Sequence, residues 1–487
     1  MKIIIVTEGS RKIGFGHITR CMSLYQAFRE KDLPVQFVVN GDPTIEHLLE
    51  NTEYSVFNWL EDSLKFFKLL NDSDIVIVDS YLADKSFYER ISESVALAVY
   101  IDDNKRINYP KGIVINGSVL AENMDYPSLD EVEYLLGSQY IPLRRAFWNV
   151  PEKNIKSTLE NIMVTFGGDD LRNLTSDVLK ILSSTYPYIN KKIVIGRGFE
   201  KISEIEGLKD NKTELIYYPD AEGMLQTMIE SDIAISAGGQ TLYELARVGV
   251  PTIAIGVAHN QINNVNNWQE VGFIEFAGFW DDEYLYEHIK KQLKLLEDKN
   301  LRVNKCEKGK IAVDGQGAIK IAKHCLNKYY SQKIKLRKAD FNDIHDIYDL
   351  SNDDEVRSNS FNTAKIKLED HEKWFKSKIE DPNTIFLIVE NGNDFAGQVR
   401  FELDKNEATI SISIDKKFRA LGLGSIILEK STKYLKLSAP QINIIKAYIK
   451  ENNKKSLGLF EKMDFKNKEN LDIENQNALQ YIYKIDN

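Results

Sequence analysis

The residues best placed for chemistry are a histidine, several carboxylates and paired glycines, each at the end of an apolar run. Gly14-Phe15-Gly16-His17 follows Ile3-Ile4-Ile5-Val6, a run suited to a strand buried on both faces. Ile18, Cys21, Met22, Tyr25 and Phe28 then recur at helical spacing. The chain is expected to leave a strand, turn through two glycines and deliver His17 to the start of a helix. Glycine at 16 lets the backbone approach a ligand, and a helix N-terminus points free N–H groups at it. The helix dipole disfavours an imidazolium at that end, so a neutral His17 able to accept a proton is expected. Taken alone, the same four residues also fit a plain glycine turn with a capping histidine.

Acids end two later apolar runs, at Asp79-Ser80-Tyr81 and Asp102-Asp103. Ligand crevices in open α/β sheets lie beyond the carboxyl ends of the strands. Asp79, Tyr81, Asp102 and Asp103 are therefore expected to share a cleft with His17, with ordinary turn and cap chemistry as the alternative. Two glycine-rich strand-to-helix turns follow, Gly167-Gly168-Asp169-Asp170 and Gly238-Gly239-Gln240-Thr241. Either one also serves tight packing. Together, with Glu244 one helical turn further on, they predict a nucleotide-diphosphate site. The helix N-terminus would hold phosphate, and the carboxylate would accept from ribose hydroxyls.

A third glycine turn is Arg419-Ala420-Leu421-Gly422-Leu423-Gly424-Ser425, between the strand Ala408–Ile414 and a helix over Ile426–Tyr434. Successive backbone N–H groups at such a turn can cradle a pyrophosphate. Downstream, Ile444–Ile449 reads as a strand, and Asn453-Lys454-Lys455-Ser456 opens a helix ending at Phe465.

The elements that must position these residues alternate. Strands are predicted at Ile3–Val6, Val35–Val39, Asp74–Asp79, Leu97–Asp102 and Gly112–Asn116, with helical text between them. A second alternating half begins near Asn161, with strands at Ile162–Phe166, Ile193–Ile195, Leu215–Tyr218, Ile233–Ser236 and Ile253–Ile255. The last of these leads to Ala258-His259-Asn260-Gln261. A polar, lysine-rich stretch from Asp298 to Gln332 carries an amphipathic helix near Ala318–Tyr329, and a new domain opens at Ile334. The expected domains are 1–155, 156–330 and 333–487. At 487 residues the chain exceeds one ordinary core.

Composition narrows the function classes. Hydrophobic residues make up 43% and charged residues 28%, as in a globular protein. A net charge of −10 argues against a general nucleic-acid binder. Cys21, Cys306 and Cys325 show no metal-ligand spacing and fit a reducing compartment. No apolar run is long enough to span a membrane or to serve as a signal peptide, so no membrane partner and a cytoplasmic location are expected.

The motifs carry two resemblances. Gly14 to Cys21, Asp79-Ser80-Tyr81, Gly137-Ser138-Gln139-Tyr140-Ile141-Pro142-Leu143-Arg144, Phe166-Gly167-Gly168-Asp169, Gly239-Gln240-Thr241-Leu242-Tyr243-Glu244 and Asn260-Gln261 occur in that order. This set resembles the UDP-sugar hydrolases of pseudaminic acid biosynthesis, relatives of the MurG glycosyltransferases, over about the first 330 residues. It implies a GT-B fold of two Rossmann-like domains and hydrolysis of UDP-2,4-diacetamido-2,4,6-trideoxy-β-L-altropyranose to UDP and free sugar, with no metal. It also implies His17, Asn260 and Tyr81 as catalytic residues. Substrate would be held by Gly16, Gly168, Asp169, Gly239, Gln240, Thr241, Glu244 and Gln261. Gln240 stands where this family more often has a small hydroxyl residue. A MurG-like glycosyltransferase, or the same step on another diacetamido sugar, is the alternative.

Residues from about 333 to 487 resemble GNAT acetyltransferases, an α+β fold. That resemblance implies acetyl-CoA as the acetyl donor, held by Leu421, Gly422, Leu423, Gly424, Ser425 and Asn453. It departs from the family at two positions. Phe460 replaces a tyrosine that protonates the departing thiolate, and Asp464 replaces a glycine before Phe465. Tyr481, Tyr483 or water could supply the proton instead. The two activities are consecutive steps, acetylation of a UDP-linked 4-amino sugar and then release of UDP.

Overall fold

A computed structural model describes all residues except 11, 12, 72, 475, 486 and 487. The chain divides into two compact units, Met1–Cys325 and Leu326–Asn487.

The first unit holds two parallel sheets. One comprises β1 (Ile3–Gly9), β2 (Val35–Gly41), β3 (Glu53–Val56), β4 (Ile75–Asp79), β5 (Leu97–Ile101), β6 (Gly112–Asn116) and β7 (Val132–Leu136) in the order β3-β2-β1-β4-β5-β6-β7. β1 runs three residues beyond the predicted Val6, and all seven of its residues are buried. β3 and β7, at the edges, were not anticipated. They are partly exposed and lack an unbroken apolar run. β1 lies between β2 and β4, with Thr7 opposite Asp79. The sheet order reverses there, so the loops after β1 and β4 open a crevice.

The second sheet comprises β8 (Asn161–Thr165), β9 (Asn190–Ile195), β10 (Thr213–Tyr217), β11 (Ile233–Ala237), β12 (Thr252–Gly256) and β13 (Ile274–Phe279), ordered β10-β9-β8-β11-β12-β13. Its reversal falls between β8 and β11, the two strands that run into the paired-glycine turns. Side chains alternate between two cores. Ile162, Val164, Ile233 and Ile235 enter one, and Met163 and Ala234 the other. Three buried or half-buried cations donate to backbone carbonyls, two of them at helix C-termini, where carbonyls lack partners. Lys153 Nζ donates to Met228 O and Ser231 O, Lys305 Nζ to Ile274 O, and Arg302 to Leu296 O.

The helix Thr241–Val248 fastens the halves of this unit together. Tyr243 is buried; its hydroxyl accepts from Val119 N at 3.2 Å and donates to Asn264 Oδ1 at 2.6 Å. Val119 follows β6, so this tyrosine grips the first half from within the second. Asn267 Nδ2 takes the Val119 carbonyl at 2.9 Å.

The second unit is a single sheet of β14 (Ile334–Lys338), β15 (Thr384–Asn391), β16 (Asp394–Asp404), β17 (Glu407–Ile414), β18 (Ile444–Lys450), β19 (Lys466–Ile473) and β20 (Gln476–Lys484), ordered β14-β15-β16-β17-β18-β20-β19. Every pairing is antiparallel except β17 with β18. The lysine-rich helix is longer than expected, Gly317–Lys333, and Ile334 opens β14 directly, with no linker between them. Among the described residues no helix is long and apolar enough to cross a membrane.

Removing the Tyr243 hydroxyl leaves a buried amide and a buried amide oxygen without their partner. Tyr243→Phe is expected to destabilise the first unit by about 1–3 kcal/mol, read from its urea-induced unfolding. An unchanged midpoint would mean that Val119 is held in some other way.

Candidate active sites

After β1 the chain closes a turn in which Gly14 N donates to Ser10 O at 2.8 Å. A helix begins at Gly16, and no side chain caps its N-terminus. His17 sits in the first turn, as its position in the sequence predicts. Its Nδ1 lies 2.7 Å from Asp79 Oδ1 at the end of β4. Arg20, three residues on and on the same helix face, donates Nε to Asp79 Oδ2 at 2.5 Å and Nη2 to Oδ1 at 2.6 Å. Its Nη1 reaches Asp103 Oδ2 at 3.0 Å. Tyr81 donates its hydroxyl to Asp103 Oδ1 at 2.5 Å and sets its ring edge-on to His17, centroids 4.7 Å apart. Beneath them Glu8, fully buried, accepts from Ser80 Oγ and from Tyr81 N. It shapes the turn that presents Asp79 and Tyr81.

The charges assign the protons. Asp79 has no exposed surface, and burial opposes its ionisation. Arg20 and then His17 outweigh that, holding the carboxyl well below the usual carboxylate range. An ionised carboxylate only accepts, so the proton between them sits on His17 Nδ1, and in the neutral imidazole the lone pair is then on Nε2. Arg20 Nη2, 3.2 Å from Nδ1, is then a neighbour and not a bonding partner. Burial, and next Asp103, raise the Tyr81 phenol, so it stays protonated and committed to Asp103. Asp103 was expected in this cleft, whereas Arg20 and Glu8 were missed as site residues. For Arg20 the signal was available in its spacing from His17.

Asp102 does not join this cluster. Its Oδ1 accepts from the amides of Asp103, Asn104 and Arg106, and its Oδ2 from the Tyr126 hydroxyl. The turn reading applies to Asp102; the cleft reading applies to Asp79, Tyr81 and Asp103.

On the second sheet the two glycine turns differ. After β8, Asp170 places its own carboxylate on the helix Leu174–Thr185, accepting from Leu174 N at 3.0 Å and Thr175 N at 2.9 Å. That helix end is therefore occupied by the chain's own carboxylate, so of the two candidate anion turns only the one after β11 leads into an uncapped helix. Gly168 remains open: a Cβ there would meet Phe15 at 3.6 Å and nothing closer. Asp169 packs its carboxylate against Gly198, whose amide donates to Gly168 O. A cleft of about 710 Å³ opens beside these turns, lined in part by Phe15, His47, Tyr54, Arg197 and Gly198. His17, Asp79 and Tyr81 do not line it.

After β11, the helix beginning at Thr241 has no side-chain cap. Gln240 turns its amide to the Pro142 carbonyl at 3.3 Å instead of capping, so the long side chain leaves the helix end open. Gln261 Oε1 accepts from Val257 N, and its Nε2 would lie 3.6 Å from a Cβ on Gly239, so this side chain packs along the turn. Asn260 is exposed, and no hydrogen bond joins it to the His17 cluster. Glu244 is buried and is not free. Arg144 donates Nε to its Oε1 at 2.7 Å and Nη2 to its Oε2 at 2.8 Å.

In the second unit, β17 and β18 pair only over Glu407–Thr409 and Ile444–Lys446, then both continue unpaired with each other. The gap between them leads toward the turn at Arg419–Ser425. Ala420 and Gly422 there have φ of 61° and 85°, and the helix Leu423–Ser438 has no side-chain cap. A Cβ at Gly422 would stand 2.6 Å from Asn327 Oδ1, a buried oxygen with no hydrogen-bond partner. Ser425 Oγ receives Lys462 Nζ at 3.3 Å. Gly424 has a packing role as well: a Cβ there would lie 2.9 Å from Leu459 Cδ2. Leu423 turns its side chain into the core, so only its backbone and that of Leu421 could serve the turn. Asn453 caps the helix Lys454–Lys462 through Ser456 N at 3.1 Å, leaving its Nδ2 for other contacts.

The two departures from the GNAT pattern have physical counterparts. Phe460 packs edge-on against Phe465 at 4.9 Å, in the core. Asp464 has φ of 62°, a left-handed position that glycine takes without strain and aspartate tolerates better than most. Tyr481 donates its hydroxyl to Glu461 at 2.6 Å, and burial followed by that bond pushes it up to about 12. Its proton is thus committed to Glu461.

Among the described residues no three His, Cys, Asp or Glu side chains cluster so as to hold a metal ion. Residues 161–323 match the glycosyltransferase family 28 C-terminal domain, and residues 333–466 match the acetyltransferase (GNAT) domain. An uncharacterized protein of Methanocaldococcus jannaschii is 27% identical over 96% of this chain and 97% of its own. The spore coat polysaccharide biosynthesis protein SpsG of Bacillus subtilis is 24% identical over 69% of this chain and 100% of its own. The UDP-2,4-diacetamido-2,4,6-trideoxy-β-L-altropyranose hydrolase of Campylobacter jejuni is 21% identical over 54% of this chain and 93% of its own. The chain thus joins a unit similar to the Campylobacter jejuni UDP-sugar hydrolase, with a glycosyltransferase family 28 C-terminal domain, to a GNAT acetyltransferase domain.

Proposed function

We propose that the chain is a bifunctional nucleotide-sugar enzyme of pseudaminic acid biosynthesis, with domains at 1–155, 156–330 and 333–487. The GNAT domain transfers acetyl from acetyl-CoA to the 4-amine of a UDP-4-amino-4,6-dideoxy sugar. The first unit hydrolyses the resulting UDP-2,4-diacetamido-2,4,6-trideoxy-β-L-altropyranose to UDP and free sugar. The observation that carries the hydrolase reading is His17, held by a buried carboxylate through Nδ1, with Nε2 left as a base at the sheet's crevice.

In this reading water attacks the anomeric carbon and gives its proton to His17 Nε2. The bond from that carbon to the phosphate oxygen breaks, and UDP leaves with the electron pair. Tyr81 lines the sugar site, and Asn260 reaches the water or sugar from its exposed turn. Gly16, Gly168, Asp169, Gly239, Gln240, Thr241 and Gln261 face the diphosphate, with the uncapped helix at Thr241 as its strongest anchor. Glu244 takes the ribose. In the acetyltransferase domain the amides from Leu421 to Ser425 hold the pyrophosphate of acetyl-CoA, and Asn453 the pantetheine arm through Nδ2. With Tyr481 bonded to Glu461, Tyr483 or water is left as the proton source for the thiolate.

The test is to incubate the purified protein with the UDP-4-amino sugar, with and without acetyl-CoA, while following UDP and free CoA. UDP release is expected to need acetyl-CoA. His17→Asn should lower UDP release on the order of a hundred- to ten-thousand-fold while free CoA still accumulates. Wild-type hydrolysis by that variant would remove His17 from the chemistry. In H₂¹⁸O the label should enter the sugar; label in UDP would mean attack at phosphorus.

Asp79 also links stability to pH. Its native pKa is depressed below the unfolded carboxylate value of about 3.9. Its contribution is therefore complete above that value and is lost as pH falls toward the native one. Asp79→Asn is expected to be less stable than wild type at pH 7. Its unfolding free energy should also be flatter as the pH falls from about 5 to 3. Parallel pH curves would show that the acid loss arises elsewhere.

A further inference from the structure

We infer that Arg144 is a positioning residue for the nucleotide ribose, acting through Glu244; the inference rests on the UDP site proposed above. Glu244 is only 4% exposed. A carboxylate buried so deeply without a partner would give up its charge or turn away. The Arg144 fork meets it with two parallel bonds, at 2.7 and 2.8 Å, which fix its plane. Those bonds use one lone pair on each oxygen and leave one on each. A vicinal diol presents two hydroxyl donors side by side, and a carboxylate locked in its plane is the acceptor that matches both.

The guanidinium is itself held in place. It comes from the segment joining the two halves of the first unit, whose carbonyls are clamped further along. Arg247 donates to Phe147 O at 3.1 Å and Trp148 O at 3.0 Å, and Gln316 Nε2 donates to Trp148 O at 3.0 Å. The Arg144 guanidinium also lies over the Phe147 ring, 5.4 Å from its centroid. The orientation of the ribose acceptor is thereby set from outside the nucleotide-binding half.

The experiment compares the affinities of UDP and 2′-deoxy-UDP by calorimetry on the full chain. A hydrogen bond from the ribose to a charged acceptor should make wild type prefer UDP on the order of ten- to a hundred-fold. In Arg144→Ala that preference should collapse toward one. Arg144→Lys keeps the charge but not the fork, and should recover little of it. Arg145→Ala, which removes a neighbouring exposed cation paired with Glu30, should keep the wild-type ratio. A ratio is read only from variants whose thermal unfolding is intact. If Arg144→Ala does not fold, Arg144→Lys decides. Undiminished preference in a folded Arg144 variant overturns the inference and leaves the UDP site standing. Failure of wild type to bind UDP, or to prefer it, overturns the UDP reading and the inference with it.

Discussion

A carboxylate with no exposed surface stays ionised only where cations pay for its lost hydration, and Asp79 is in that position. Arg20 covers both of its oxygens and His17 takes a third bond. The same Arg20 extends to Asp103, which in turn holds Tyr81. One guanidinium therefore joins the residues after β1, β4 and β5, three strands adjacent in the sheet. The consequence for the proposed function is a histidine whose Nδ1 is committed to Asp79, which leaves Nε2 as the nitrogen that would act as base.

The proposed function gives the second sheet a different task, binding a diphosphate. Its tool is an open helix N-terminus at Thr241, kept open because Gln240 reaches away to Pro142. The same short helix carries Tyr243, Glu244 and Arg247, which bind Val119, Arg144 and the carbonyls of Phe147 and Trp148. Phosphate contact and the joint between the halves thus lie on one element two turns long. A displacement of that helix cannot leave either one unaffected.

The second unit shows how a local sequence departure can leave a ligand turn intact. Phe460 replaces a proton donor but fills the core beside Phe465, and Asp464 absorbs a left-handed backbone at the helix end. The Ala420–Gly422 turn, about forty positions earlier in the chain, keeps its positive φ values beside both departures.

The sequence by itself determined most strands of the two parallel sheets and β15 to β18 of the largely antiparallel third, because apolar runs and the glycine turns after them are local signals, while β13, β19 and β20 escaped it. It also located His17, the Gly239 turn and the Gly422 turn, since each depends on residues next to one another. It could not reveal the edge strands β3 and β7, whose burial is partial and whose pattern is weak. Nor could it separate Asp102 from Asp103, adjacent acids that a single turn sends to different partners. Glu244 was legible as a carboxylate near the anion turn, but its pairing with Arg144 spans 100 residues. Asp170 looked like part of an anion site until the backbone brought it onto its own helix end. Local backbone preference is written in neighbours. Which charge meets which is decided by the strand order, and only the folded sheet supplies that.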